Sequence, residues 1–206
     1  MGVVFLDGDD TNELLVPYVR GLNPTLDPEQ IRQVYLQASL GEISARRFWQ
    51  EVGFPVSEAH PDLEKNYLDN HLRLDPEFPE IAARLAGAYR LALLSNDVAE
   101  WSDYLCRKHR LNGFFGAKII SGVVGIRKPE PRIYKKLLAT IRATPGDCVF
   151  IDDRLPNLRS AAHLGMKTIH FRRGPFDCYG EFYPDASITR FPELPPVIEV
   201  LSGANE

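Results

Sequence analysis

The sequence predicts an α/β fold: a Rossmann-like parallel sheet core with a small α-helical cap domain inserted after the first strand. Two observations carry this expectation. Short apolar runs bounded by turn residues alternate with segments of helical spacing. One long interval, from about residue 13 to residue 89, holds helices and turns but no convincing strand. A chain of 206 residues is long enough for one core carrying a smaller inserted module.

The apolar runs at residues 3–6, 91–94, 118–120, 149–151 and 168–171 read as buried strands. Helical spacing occupies residues 98–111, 131–141 and 155–164 between them. Inside the long interval, Asp27-Pro28-Glu29-Gln30 reads as an N-cap, a proline in the first turn and a reciprocating Gln, continued by Ile31, Val34, Tyr35 and Ala38. A second helix starts at Ser44 and carries Phe48, Trp49 and Val52, and a third spans residues 63–72. The interval is too long for a simple connection between neighbouring strands. The expected division is an α/β core of residues 1–12 and 80–206 and an inserted helical module of residues 13–79, with Pro76 to Pro79 marking the return to the sheet.

Composition narrows the function classes. An apolar fraction of 44% with 25% charged residues is that of a folded globular chain rather than a disordered, collagen-like or membrane protein. A net charge of −4 without a long basic run argues against a nucleic-acid partner, because backbone binding depends on clustered Lys and Arg. The cluster Arg107-Lys108-His109-Arg110 suits the C-terminal end of a helix, where cations offset the macrodipole. Cys106, Cys148 and Cys178 are widely spaced, so neither a disulfide framework nor a zinc site is indicated. The apolar run at residues 3–6 is too short for a signal peptide, and no stretch approaches membrane-spanning length. The expected setting is the cytoplasm.

Four constellations carry chemistry. In Phe5-Leu6-Asp7-Gly8-Asp9-Asp10-Thr11 an apolar strand runs into carboxylates, and strand periodicity puts Asp7 and Asp9 on one face. An acidic turn with Thr11 capping a helix is the plainer alternative. In Leu93-Leu94-Ser95-Asn96-Asp97 a strand ends in a hydroxyl residue, able either to bind an oxyanion or to cap the next helix. In Gly125-Ile126-Arg127-Lys128-Pro129 the lysine is either a compact charge for a carboxylate and a phosphate or a solvated loop residue. Val149-Phe150-Ile151-Asp152-Asp153, followed by Asn157, offers hard oxygen ligands of the kind magnesium takes, or an acidic helix start. All four fall at the carboxyl ends of expected strands, the edge where open α/β sheets bind ligands.

In that order, acids, Ser, Lys-Pro and paired acids, the sequence resembles the haloacid-dehalogenase-like hydrolases over nearly its whole length. The resemblance implies that Asp7 is the nucleophile and Asp9 the general acid and then base. It implies that Gly8, Ser95, Asn96 and Lys128 contact the phosphate, while Asp7, the backbone carbonyl of Asp9 and one or both of Asp152 and Asp153 surround Mg2+. The activity so implied is magnesium-dependent hydrolysis of a small phosphomonoester through an aspartyl-phosphate, in a monomer or homodimer. The residues from Gly41 to Trp49 resemble the caps of sugar-phosphate phosphatases and of the N-terminal phosphatase domain of epoxide hydrolases. Gly8 and Asn12 depart from the family pattern without removing a reacting group. A haloacid dehalogenase would share Asp7, but its branch carries an aromatic residue where this chain has Asp9, and halide needs no proton donor. A catalytically silent binding protein is the other alternative. A phosphate-accepting receiver domain fits neither the motif order nor the inserted helices.

Overall fold

The computed structural model describes residues 2–5, 10–54, 60–172 and 182–203. It divides into two compact units: Met1–Leu74, Ser95–Leu111 and Ile120–Arg127 form the first, and Asp75–Leu94, Asn112–Ile119 and Lys128–Glu206 the second.

The first unit begins with a π-helical turn at Asp10–Leu15 that runs into α1 (Val16–Leu22). The next helix, α2 (Pro28–Ser39), starts where its sequence says: the Asp27 side chain accepts from the Glu29 amide at 3.0 Å and Pro28 fits the first turn. The expected reciprocal bond from Gln30 is replaced by Gln33, whose side chain donates to Glu29 one turn earlier at 2.8 Å. Ser44 caps α3 (Ala45–Glu51) by accepting from Arg47 N at 3.2 Å, and α4 is His60–Asn70. Phe48, Trp49 and Trp101 are buried together, the last from α6 (Ala99–Lys108). A short α5 (Phe78–Ala86) belongs to the second unit, and a single turn, α7 (Ser121–Val124), to the first.

The N-terminal run differs from its expectation. Residues 2–4 form a turn, and Phe5 makes an isolated antiparallel bridge with Leu74 instead of entering a strand; Leu6 lies outside the described residues. An apolar run reports a need for burial rather than a ladder partner. Val4 and Phe5 meet that need here, buried, with the Phe5 ring edge-on to His109 at 5.6 Å.

In the second unit α5 takes the place expected to be a plain return to the sheet, with proline again in its first turn. Strands β1 (Leu91–Ser95) and β2 (Phe115–Ile120) form one sheet, running at their ends into residues of the first unit. A second sheet, ordered β3-β4-β5, is parallel throughout: β3 (Val149–Asp152), β4 (Lys167–Phe171) and β5 (Ala186–Ile188). The crossover between β3 and β4 is α9 (Leu155–His163), which packs on both. Helices α8 (Pro131–Ile141) and α10 (Leu194–Leu201) complete the unit.

Candidate active site

Each unit carries residues named as candidates at a strand end. Buried Leu93 and Leu94 anchor β1, so Ser95 is delivered at its carboxyl end. The Ser95 side chain is 1% exposed and its Oγ has no hydrogen-bond partner among the described residues. It does not cap α6, whose N-cap is Val98 without a side-chain bond. Asn96 is half-buried beside it. The turn that follows is held by Ser121, which accepts from Asp97 N at 2.9 Å and donates to Ser39 O at 2.5 Å, while Asp97 Oδ1 accepts from Val98 N at 2.9 Å. Arg127 donates to Ser39 Oγ and lies over the Tyr35 ring at 5.7 Å.

In the second unit Lys128 is not a solvated loop residue. Its Nζ donates to Asp152 Oδ2 at 2.6 Å and to Leu94 O at 3.0 Å. The Asp152 side chain is 2% exposed, and its other oxygen, Oδ1, accepts from Asn157 Nδ2 at 2.8 Å and Arg154 N at 2.9 Å. Asn157 is fixed in turn, its carbonyl accepting from the Tyr134 hydroxyl at 2.9 Å. Burial, reinforced by the Asp152 charge, pushes the Tyr134 phenol well above its usual range, so it stays a donor. Asp153 is half-buried, and burial followed by the charge of Asp152 raises its carboxyl pKa. Its carbonyl lies 3.3 Å from His170 Nε2. Asp7, Gly8 and Asp9 lie outside the described residues.

Ser121, Arg127, Tyr134 and His170 support these groups without a sequence signal of their own. Asn157 could be found, because it follows the paired acids on the first turns of α9.

A family model described as haloacid dehalogenase-like hydrolase matches residues 19–165. The chain belongs to that family. Among relatives of this haloacid dehalogenase-like chain, a glyceraldehyde 3-phosphate phosphatase of Pyrococcus furiosus is 32% identical over 115 residues, 54% of this chain and 47% of that protein. The chain thus spans about half the length of that relative. Among solved structures, a haloacid dehalogenase family enzyme of Bacteroides thetaiotaomicron in complex with magnesium and inorganic phosphate superposes with a TM-score of 0.72, at 21% identity, over 88% of this chain and 96% of that one. A 2-haloacid dehalogenase of Pseudomonas syringae superposes with a TM-score of 0.69, at 18% identity, over 96% and 94%. Both show the α/β fold with helical insertions and do not by themselves distinguish dephosphorylation from dehalogenation.

Proposed function

We propose that this haloacid dehalogenase-like chain is a magnesium-dependent phosphatase that hydrolyses a small phosphomonoester with Asp7 as nucleophile. The observation that carries the reading is the buried Lys128–Asp152 pair, fixed by Asn157 at a strand's carboxyl end. Such a pair contributes little net stability, since desolvation offsets its attraction. It does hold one ammonium at a fixed place, where an anion can use it.

The pair also divides the two acids that the sequence left open. Both Asp152 oxygens are engaged by protein donors, so Asp152 orients Lys128. Asp153 is the better ligand for magnesium, together with Asp7 and the Asp9 carbonyl. Its chemistry fits a divalent cation: hard carboxylate oxygens, and a charge made costly by burial and by Asp152 that a cation would stabilise. Among the described residues, no three His, Cys, Asp or Glu side chains gather into a metal site, and the other two ligands of this set lie outside those residues. When bound, magnesium would screen the negative charge of nucleophile and phosphoryl group.

The remaining steps belong to the chain. Asp7 attacks phosphorus to give an aspartyl-phosphate, while Asp9 gives its proton to the departing alkoxide and then takes one from the attacking water. Ser95 Oγ, without a partner among the described residues, donates to a phosphoryl oxygen, and Gly8 and Asn96 contribute further contacts to the phosphate. Residues 13–79 act as the cap, and three widely spaced cysteines suit a reducing cytoplasm. No helix among the described residues is long and apolar enough to cross a membrane. The name of the Pyrococcus relative and the magnesium and phosphate of the Bacteroides structure support the phosphatase reading. The acid at position 9, which halide displacement does not need, disfavours dehalogenation.

The test is hydrolysis of 4-nitrophenyl phosphate with and without magnesium. Magnesium-dependent turnover abolished by Asp7→Asn and strongly reduced by Asp9→Asn is expected. Chloride release from a chloro-acid without metal, and no phosphate release, would overturn the reading.

A further inference from the structure

The inserted helices do not close their core by themselves. The compact unit that contains α2, α3 and α4 also contains Ser95 and α6, which the chain reaches only through β1. Trp101 of α6, 2% exposed, packs its ring against Tyr35 of α2 at 6.1 Å, Phe48 and Trp49 of α3 at 5.3 and 6.2 Å, and Tyr67 of α4 at 5.6 Å. One side chain from outside the insertion thus meets three of its helices.

Polar bonds repeat the attachment along α6. Glu100 Oε1 accepts from the amide of Ala45, the first residue of α3, at 3.2 Å. The Trp101 and Trp49 indoles both donate to Glu64 Oε2, each at 2.9 Å, so one oxygen of α4 joins α3 to α6. Asp69 Oδ1 accepts from the Tyr104 hydroxyl at 2.7 Å and from Lys108 Nζ at 2.6 Å. Glu100, Tyr104 and Lys108 recur at the spacing that shares one helix face. Parting α3 and α4 from α6 would return the Trp101 ring to water and strip both indole N–H groups of their acceptor at once. Ser95 lies shortly before Trp101 in the chain, and the turn between them is pinned at the Asp97 and Val98 amides, so a displacement of α6 reaches the Ser95 hydroxyl.

We propose that Trp101 and Glu64 are positioning residues that lock the inserted helices to α6, so that this module carries Ser95 with it as one body and does not part from α6 when phosphate binds. The part given to Ser95 rests on the phosphatase reading, so the test has one arm that needs neither phosphate nor turnover.

In that arm, exchange of the indole N–H protons is followed by NMR; the chain has two tryptophans, both bonded to Glu64, so each signal reports the joint itself. Both should exchange no faster than the slowest backbone amides of α6, with and without magnesium and inorganic phosphate. Indole exchange about tenfold or more faster than those amides in either state reveals parting short of unfolding and overturns the single body. In the second arm, binding of inorganic phosphate with magnesium is measured by calorimetry on chains shown to be folded by their urea transitions. Glu64→Ala should weaken phosphate binding by about threefold or more, and Glu64→Gln, which keeps an acceptor oxygen for the indoles, should restore it. Unchanged phosphate affinity in folded Glu64→Ala, or a loss that Glu64→Gln does not restore, overturns the positioning role. Phosphate binding absent from the native chain overturns the phosphatase reading and the part given to Ser95, while the indole protons still decide whether the helices form one body.

Discussion

Removing the Lys128 ammonium would leave the Asp152 carboxylate, 2% exposed, without its charge partner. Breaking a buried pair from one side costs roughly 3–5 kcal/mol. Lys128→Ala should therefore lower the urea midpoint by the equivalent of about 3 kcal/mol and abolish phosphate release together, whereas Lys128→Ala with Asp152→Asn should recover much of the stability and none of the activity. Ser95 predicts the reverse pattern. Its hydroxyl makes no bond among the described residues, so Ser95→Ala removes a buried unsatisfied group and should leave the melting temperature unchanged or slightly higher. Inhibition by inorganic phosphate should weaken by about tenfold, the loss of one charge-assisted hydrogen bond. A fall in melting temperature with unchanged phosphate inhibition would assign Ser95 a structural role instead. Lys128, Asp152 and Ser95 are legible in the sequence because each directly follows an apolar strand or precedes a proline-started helix. Ser121 also follows an apolar run, at residues 118–120, but the glycine and valines after it supply no polar neighbour to mark it. Its role comes from meeting the Asp97 amide, 24 residues away in sequence.

The junction where α2 ends against the starts of α6 and α7 is built at backbone distance. A Cβ on Gly122 would stand 2.7 Å from Ala99 N and 2.8 Å from Asp97 O, and one on Gly41, at φ +73°, would meet Gly122 O at 2.3 Å. These neighbours are main-chain atoms that also carry the Asp97 turn, so they have little room to move. Gly122→Ala should thus cost about 1–3 kcal/mol in chemical denaturation, the range for overpacking. Activity should fall further than stability alone explains, since the displaced atoms belong to the turn after Ser95. No periodicity announces such a contact, whereas caps and proline starts leave a local trace: Asp27 and Ser44 mark α2 and α3, and Pro131 opens α8 where it was expected. The three-residue β5 escapes sequence reading for the opposite reason. It is too short for a pattern, and parallel pairing to β4 in the register Ile169 to Ala186 creates it. Val4 and Phe5 show the converse, apolar residues that are buried without joining a ladder.

At the scale of the whole molecule, one half-buried imidazole links stability to pH. The helical register places His109 at the end of α6, as the basic cluster implied, but the ring faces inward against Phe5 and its Nε2 has no hydrogen-bond partner among the described residues. Burial lowers its pKa, the adjacent Lys108 charge adds to that, and Asp69 opposes it. The folded chain thus holds the neutral ring at a pH where the unfolded chain has already bound a proton. Between the unfolded value of about 6.5 and the lower folded value the unfolded state carries more protons, so stability rises with pH through that window. The contribution is present above about pH 6.5 and is lost as pH falls below it. Asp69 titrates in the opposing sense of charge but with the same slope: burial raises its pKa, yet the hydrogen bonds from Lys108 and Tyr104 outweigh burial and hold it low, so it too loses its stabilising contribution as pH falls, in the more acidic carboxylate range. The two windows separate the groups. Urea midpoints measured between pH 8 and pH 5 should decline for the native chain, and His109→Phe, which keeps a ring against Phe5 without a titrating nitrogen, should flatten that decline while leaving the loss below pH 5 in place. An unaltered slope between pH 8 and pH 5 in His109→Phe would show that the ring titrates alike in the folded and unfolded chains, and that its seat against Phe5 does not oppose its charge.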